Sequence, residues 1–414
     1  MTRRRVVVTG LGPVTAVGVG AEEFRTAQLE GVSGVRGITR FDAAALPVRI
    51  AAEVDLPGHL TPSRREAQLT DRCTQLAAAA ATLALQDGGL DLDRVDRSRV
   101  GVSIGTGCGG AESIERSSRA FIERGLPALS ARFVPVSMAN STAAWLALRH
   151  GLTGPCATSV TACASGSDAL VAAHQMIAGG EADVVLAGGA EAPLTPVIVG
   201  GFARMRALSA RNEEPERASR PFSADRDGFV LAEGAAVLVL EEASHAAARG
   251  ATVLAELRGY GRSCDAHHAV APRPDGACAA RAVTAALSSA GLAPEDVSYV
   301  NAHGTGTVFN DAAEARALAA ALGPWAAAVP VSATKSTTGH ALGAAGAIEA
   351  VASVQALVQG LLPPTANLDD PDPELGLDIV ADKPREAAVG AVLSNSFAFG
   401  GHNVVLAFTR PEHP

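Results

Sequence analysis

Ala84-Leu85-Gln86-Asp87-Gly88-Gly89-Leu90 leads through a polar stretch to Val100-Gly101-Val102-Ser103-Ile104-Gly105-Thr106-Gly107. Much later, Ala286-Leu287-Ser288-Ser289-Ala290-Gly291-Leu292 leads to Val297-Ser298-Tyr299-Val300-Asn301-Ala302-His303-Gly304-Thr305-Gly306. Each stretch reads as a helix end, a Gly-Leu stop, an apolar strand and a Gly-Thr-Gly turn. The stops lie 202 residues apart (291 − 89) and the turns 199 (304 − 105). A near-constant offset marks a duplicated α/β unit. The first half closes near Arg249-Gly250 and Val253 to Leu257 opens the second, which divides the chain into residues 1–250 and 251–414.

Bulk properties suit an Ala/Val/Leu-rich α/β enzyme of the cytoplasm: 414 residues, 48% hydrophobic and only 4% aromatic, enough chain for a large core or two fused halves. A net charge of −9 and no basic run beyond Arg3-Arg4-Arg5 argue against a nucleic-acid partner. Those arginines precede Val6-Val7-Val8 in the manner of a signal peptide, but Gly10, Gly12 and Pro13 interrupt the apolar run, which reads as a buried strand. The apolar stretch Ala341–Gly360 carries Glu349, Gln355 and Gln359, so it is a core helix and no membrane span is expected. Six scattered cysteines have no metal-ligand spacing; they fit a reducing compartment, and no metal is expected. Gly105-Thr106-Gly107-Cys108-Gly109-Gly110 satisfies a G-x-G-x-x-G pattern, but it does not open the chain's first βαβ unit, and dinucleotide binding is not expected.

The chemistry gathers around three residues. Cys163, in Val160-Thr161-Ala162-Cys163-Ala164-Ser165-Gly166, precedes a breaker-free helical run ended by Gly179-Gly180. A thiol at a helix N-terminus faces unpaired N–H groups and the positive end of the dipole, which favour thiolate. His303 follows a short apolar strand, and His340 stands in Lys335-Ser336-Thr337-Thr338-Gly339-His340, ahead of an Ala-rich helix. One Cys with two His serves either a hydrolase, with one imidazole as base, or a Claisen condensation, with both imidazoles donating to a thioester oxygen.

The Cys163 segment, Ser219-Arg220-Pro221-Phe222 with Asp225 to Glu233, Asn301-Ala302-His303-Gly304-Thr305, Lys335 to His340 and Asn395-Ser396-Phe397-Ala398-Phe399-Gly400-Gly401 together resemble an elongating β-ketoacyl-acyl-carrier-protein synthase of the thiolase superfamily, from Arg5 to Phe408. The resemblance implies a thiolase fold: two duplicated α/β halves in a five-layer αβαβα arrangement, with the site between them. It implies that Cys163 accepts an acyl chain from a phosphopantetheine thioester and that the N–H groups of Cys163 and Phe399 form an oxyanion hole. His303 and His340 then hold a malonyl thioester while CO2 leaves, and Lys335 with Glu349 forms an ion pair orienting the second histidine. Thr305 and Thr307 fall where the family binds the pantetheine arm, and Asp311 and Glu314 read as structural. Cys108, Phe133, Phe202 and Phe229 fall where it lines the acyl pocket, Phe399 and Gly400 at its gate, and Arg64, Arg65, Arg204 and Arg206 at the carrier-docking entrance. No cofactor is implied, because substrates arrive on the carrier protein.

Ala398, His402 and Val308-Phe309 depart from the family's usual residues, at the gate and in the pantetheine contacts. Phe41 to Glu53, Pro215 to Phe222 and Pro363 to Leu368 read closest to the ketosynthase subunit of type II polyketide synthases, whereas Ser394-Asn395-Ser396-Phe397 is the fatty-acid version. The expectation is a polyketide ketosynthase of reduced or polyene chains, paired with a chain-length factor; the alternative is a homodimeric 3-oxoacyl-acyl-carrier-protein synthase II of fatty-acid synthesis. A non-catalytic chain-length factor is disfavoured by the intact constellation. A thiolase is disfavoured because the last cysteine is Cys278, which leaves none near the C-terminus.

Overall fold

The computed structural model describes residues 4–411; Arg3, the first residue of the basic run, lies outside the described residues. The first half runs β1 (Val6–Thr15), α1 (Arg72–Asp87), β2 (Val100–Gly105), α2 (Ser141–His150), β3 (Cys156–Ser159), α3 (Ser165–Ala178), β4 (Val184–Glu191) and β5 (Gly234–Glu242). The second runs β6 (Ala255–Cys264), α4 (Ala277–Ala290), β7 (Tyr299–Asn301), α5 (Val308–Leu322), β8 (Pro330–Ser332), α6 (Ala345–Gln359), β9 (Ala391–Ala398) and β10 (His402–Thr409). The order of strands and helices is the same in both. So is the sheet, β3-β2-β4-β5-β1 in one half and β8-β7-β9-β10-β6 in the other. In each, the first three strands of that order are parallel and the last two run antiparallel to their neighbours. The half-sheets join where Val7 and Val8 of β1 pair with Glu256 and Ala255 of β6.

Alternation along the strands builds the layers. In β5, Ala235, Val237 and Val239 enter an outer core with α1, whereas Ala236, Leu238 and Leu240 face a central core. In β10, Val404, Leu406 and Phe408 face the same central core, and Val405 and Ala407 an outer core with α4. A period of two with both faces apolar is what a sheet covered on each side requires. The central core holds α3 and α6, packed against each other between the half-sheets; α1 and α2 cover one outer face, α4 and α5 the other. The fold is the five-layer αβαβα thiolase arrangement expected.

The glycines expected to interrupt the first strand instead lie inside it. β1 continues through Gly10, Gly12 and Pro13 to Thr15, because a Cβ at Gly10 or Gly12 would overlap the carbonyl oxygens of Ala84 and Ala80 in α1. Gly259 and Gly261 of β6 do the same for α4, at Ala290 and Ala282. One glycine pair in each half allows its helix to approach the sheet. The apolar window Leu342–Gln359 is long enough to cross a membrane by composition, but it is 83% buried within the fold.

Candidate active site

Both central helices start on the same device. Ala162 (φ 50°) precedes Cys163, and Leu342 (φ 41°) precedes Gly343; each opens a short 3-10 turn that runs into α3 or α6. A non-glycine residue at positive φ persists only where its surroundings hold it. Here the Thr161 N–H donates to Ser165 Oγ at 2.8 Å, and that hydroxyl donates to the Ala162 carbonyl at 2.6 Å. Cys163 is therefore presented at a sharp turn between the half-sheets, buried, with the N–H groups of Phe399 and of Cys163 itself facing its sulfur. The helix start does not produce the expected thiolate. Burial pushes the thiol up to about 12, against the opposing pull of Lys335 and the Phe399 N–H.

His303 follows β7 on a loop held by two buried carboxylates. Glu314 accepts from the His303 and Gly304 N–H groups at 2.8 Å each and from Asn395 at 3.0 Å. Asp311 accepts from the N–H groups of Thr305 at 3.1 Å, Gly306 at 3.2 Å and Phe222 at 2.9 Å. The Lys335 ammonium donates to the His303 carbonyl at 2.6 Å, to His303 Nδ1 at 3.1 Å and to Glu349 Oε1. Its three protons are all engaged, and a donor on Nδ1 places the imidazole proton on Nε2. The ion pair is buried at 2% exposure on each side, which excludes a solvated surface pair. It stands on the first histidine, not the second, a correction to the resemblance: the reach of Lys335 from its short helix ends at the His303 loop.

His340 lies across from His303, the rings edge to face with centroids 5.4 Å apart. Its backbone is fixed by the Val230 carbonyl at 2.7 Å and the Ala232 N–H at 3.0 Å, and Phe229 packs on its ring at 5.1 Å. Burial first, then the Lys335 charge, hold both histidines well below the usual imidazole range, with His340 adding to the effect on His303; both are neutral donors at pH 7. Burial pushes the Glu349 carboxyl up to about 7 against the pull of Lys335.

Cys163, His303 and His340 open on one cavity of about 280 Å³, with Thr305, Thr307, Phe229, Phe399 and Arg206 in its wall. The Thr305 and Thr307 hydroxyls are 2.9 Å apart, and Val308 and Phe309 stand at its rim, exposed. Phe202 lies behind this wall, its ring against Phe229 at 5.5 Å and Phe399 at 6.3 Å. Gly400 takes φ 79° beyond Phe399 and donates to the Ala269 carbonyl at 2.8 Å. Phe133, Arg64 and Arg65 lie away from this cavity within this chain. Phe133 lines a separate outer hollow with Gln68 and Thr70, because its short helix packs on the flank of the first half. Arg64 and Arg65 stand exposed at the start of another short helix, outside the cavity wall. Arg204 is exposed beside Met205 and Arg206, both of which line the cavity.

Two features escaped the sequence reading. Asp265 accepts from Asn403 at 2.7 Å and donates its N–H to the Gly401 carbonyl at 2.9 Å, tying the loop after β6 to the Phe399 turn. Glu191 ends β4 fully buried and accepts from the N–H groups of Gly107 at 2.6 Å and Cys108 at 3.0 Å. The donors that the G-x-G-x-x-G pattern would offer a phosphate are thus taken by the protein's own carboxyl group. A lone acid ending the small apolar run Leu186 to Ala190 was the available signal.

Family models match along most of the chain: "Beta-ketoacyl synthase, N-terminal domain" over residues 3–246 and "Beta-ketoacyl synthase, C-terminal domain" over 254–369. The 3-oxoacyl-(acyl-carrier-protein) synthase 2 of Synechocystis sp. is 45% identical over 411 residues, covering 99% of each chain. That of Coxiella burnetii gives the same identity and coverage. Among solved structures, the ishigamide ketosynthase/chain length factor superposes with a TM-score of 0.93 at 36% identity, over 99% of this chain and 100% of that one. A beta-ketoacyl synthase from Burkholderia phymatum gives 0.91 at 39%, with the same coverage. With this fold, this cavity and these relatives, the chain belongs to the β-ketoacyl synthase family of acyl-transferring condensing enzymes.

Proposed function

We propose that the chain catalyses the decarboxylative condensation of an acyl group held on Cys163 with a malonyl group held on an acyl carrier protein. The observation that carries this reading is the convergence of one buried thiol and two neutral imidazoles on a single cavity, with Lys335 fixing His303 as an Nε2–H donor. Cys163 forms an S–C bond to the acyl carbonyl, the carrier's S–C bond breaks, and the thiol proton passes to the departing pantetheine sulfur. The oxyanion of that step lies between the Phe399 and Cys163 N–H groups. The malonyl C–C bond then breaks and CO2 leaves. The electron pair stays as an enolate whose oxygen accepts from His303 and His340, the kind of placed donors that stabilise developing charge best. The enolate carbon attacks the acyl-Cys163 carbonyl, and the Cys163 sulfur leaves as thiolate and takes up a proton from water. Thr305 and Thr307 hold the pantetheine arm at the neck, Arg206 with Arg204 meets the carrier protein, and Phe202 and Phe229 pack along the acyl side.

Fatty-acid elongation is the pathway we favour over the polyketide expectation. Curated relatives at 44–45% identity carry the name 3-oxoacyl-(acyl-carrier-protein) synthase 2, and the gate segment Ser394 to Phe397 agrees with them. The polyketide reading rests on the structural neighbours: the ishigamide protein and a type II polyketide ketosynthase complexed with its acyl-carrier protein (TM-score 0.92 at 35% identity). Purification of the native complex separates the two, since a co-purifying homologue without the cysteine means the polyketide pathway and a homodimer the fatty-acid one. The chemistry is tested by incubating the protein with acyl carrier protein and locating the added mass. It belongs on the Cys163 peptide; label on Cys108 or Cys156 overturns the assignment. Cys163→Ala abolishes condensation, while Cys163→Gln, which imitates an acyl carbonyl, leaves malonyl decarboxylation running.

A further inference from the structure

The two turns that start α3 and α6 share a backbone but not a chemistry. At the first apex stands Cys163, faced by the Phe399 N–H from the end of β9. At the corresponding apex of the second half stands Gly343, faced by Glu191 from the end of β4. Gly343 donates its N–H to Glu191 Oε2 at 3.0 Å, and Gly107 donates to the same oxygen at 2.6 Å. Oε1 accepts from the Cys108 N–H at 3.0 Å and from the Thr106 hydroxyl at 3.1 Å. Four donors from two loops of different halves thus end on one fully buried carboxyl group. Only glycine fits at 343, since a Cβ there would fall 2.6 Å from Glu191 Oε2 and overlap the Gly107 nitrogen.

We propose that Glu191 is a positioning residue for the acyl half of the reaction: it fills the unused second turn and, by gripping both loops at once, fixes the wall along which an acyl chain on Cys163 lies. The two loops each supply a residue beside the nucleophile. Leu342 lines the cavity with Cys163, and Cys108 packs against the core cluster that contains Cys163. Leu342 sits at φ 41°, a conformation that relaxes unless its neighbour Gly343 is held. The malonyl side is anchored separately, His303 through Glu314 and His340 through Val230 and Ala232. Losing the Glu191 grip therefore disturbs acyl binding selectively.

This inference rests on the ketosynthase reading, and Glu191→Gln tests it separately from that reading. The amide keeps the size of the side chain but turns an NH2 toward two N–H or O–H donors, so one loop must move. The expected result is a folded variant whose kcat/KM for a myristoyl carrier substrate falls about tenfold or more, the lower end of what a displaced apolar wall does to discrimination. Its butyryl self-acylation of Cys163 and its malonyl decarboxylation stay within about twofold of the parent. Equal losses with short and long chains, or none with either, overturn the positioning role while leaving acylation of Cys163 intact as support for the ketosynthase. A variant that does not fold overturns it as well, since Glu191 would then serve the fold and not the acyl wall. Absence of acylation in the parent protein would instead refute the underlying reading.

Discussion

Replacing Lys335 with methionine separates what this residue does for the fold from what it does for His303. Methionine matches the length of the aliphatic stem, so little cavity is left, but the change removes the sole cation bonded to Glu349 among the described residues and the donor on His303 Nδ1. A buried carboxylate without its partner protonates instead of remaining charged. Neutralising at pH 7 a carboxyl whose ordinary value is near 4.5 costs about 3 kcal/mol, at 1.36 kcal/mol per unit; at pH 5 the same step costs under about 1 kcal/mol. The folded value of Glu349 already lies above the unfolded one. Its stabilising contribution is present below the unfolded value and lost as pH rises through the folded one, and removing Lys335 moves that folded value higher still. Relief of the Lys335 charge on His303 and His340 acts in the same direction at acid pH, because neutral buried histidines weaken the fold as pH falls below 6.5. Because a folded value of about 7 already carries most of that cost in the parent, urea titrations of Lys335→Met and the parent are expected to change their gap by under about 1 kcal/mol between pH 5 and 7 and to diverge above pH 7 by up to about 1.4 kcal/mol per pH unit. Lys335→Met/Glu349→Gln recovers most of the stability lost above pH 7 but not the decarboxylation rate, which stays down on the order of a hundredfold for want of a fixed His303 donor. Recovery of rate together with stability would refute the argument, since Lys335 would then act only as a countercharge.

The other expectations are simpler to test. His303→Ala and His340→Ala each lower malonyl decarboxylation on the order of a hundredfold, while mass spectrometry still finds acylated Cys163 in at least one of them; equal loss of acylation and decarboxylation in both would make an imidazole the general base for the thiol. Alkylation of Cys163 by iodoacetamide rises about tenfold per pH unit from pH 7 to 10, as a thiol pushed up to about 12 requires; a plateau near pH 7 would mean a resting thiolate. Arg204→Glu/Arg206→Glu raises KM for carrier-bound substrate in a salt-sensitive way, screened over about 10 Å at 0.1 M. It leaves turnover of a small pantetheine thioester unchanged, and equal loss with both substrates would place the arginines in the fold.

Much of this arrangement is legible in the residues. The 202- and 199-residue offsets found α1–β2 and α4–β7, because a helix stop and an apolar strand are local signals. The Cys163 turn and the two histidines were legible for the same reason. What failed depends on distance. The pKa of Cys163 follows from burial, which no seven-residue window contains, and the partner of Lys335 depends on which loop folds back to meet it. Gly10 and Gly12 look like breaks until α1 is laid across them. Phe133 and Arg64 share a chain with the site but lie on a different flank.

Duplication also explains why one half holds the nucleophile and the other the histidines. Two copies of a strand–turn–helix unit, joined edge to edge, bring the ends of β4 and β9 to the turns of the opposite half. Each turn then has one N–H-rich apex and one facing strand end, enough for two equivalent sites. The sequence makes them unequal. Cysteine at 163 with a bare N–H at 399 leaves one turn open for an oxyanion, whereas glycine at 343 with a carboxyl at 191 closes the other. The charge asymmetry follows the same division. His303, Lys335, His340 and Glu349 all come from the second half and are all buried, and Lys335 hydrogen-bonds to both His303 and Glu349. A thiol needs no such partners, and Cys163 can be buried alone on the other side of the cavity, neutral until an acyl donor arrives.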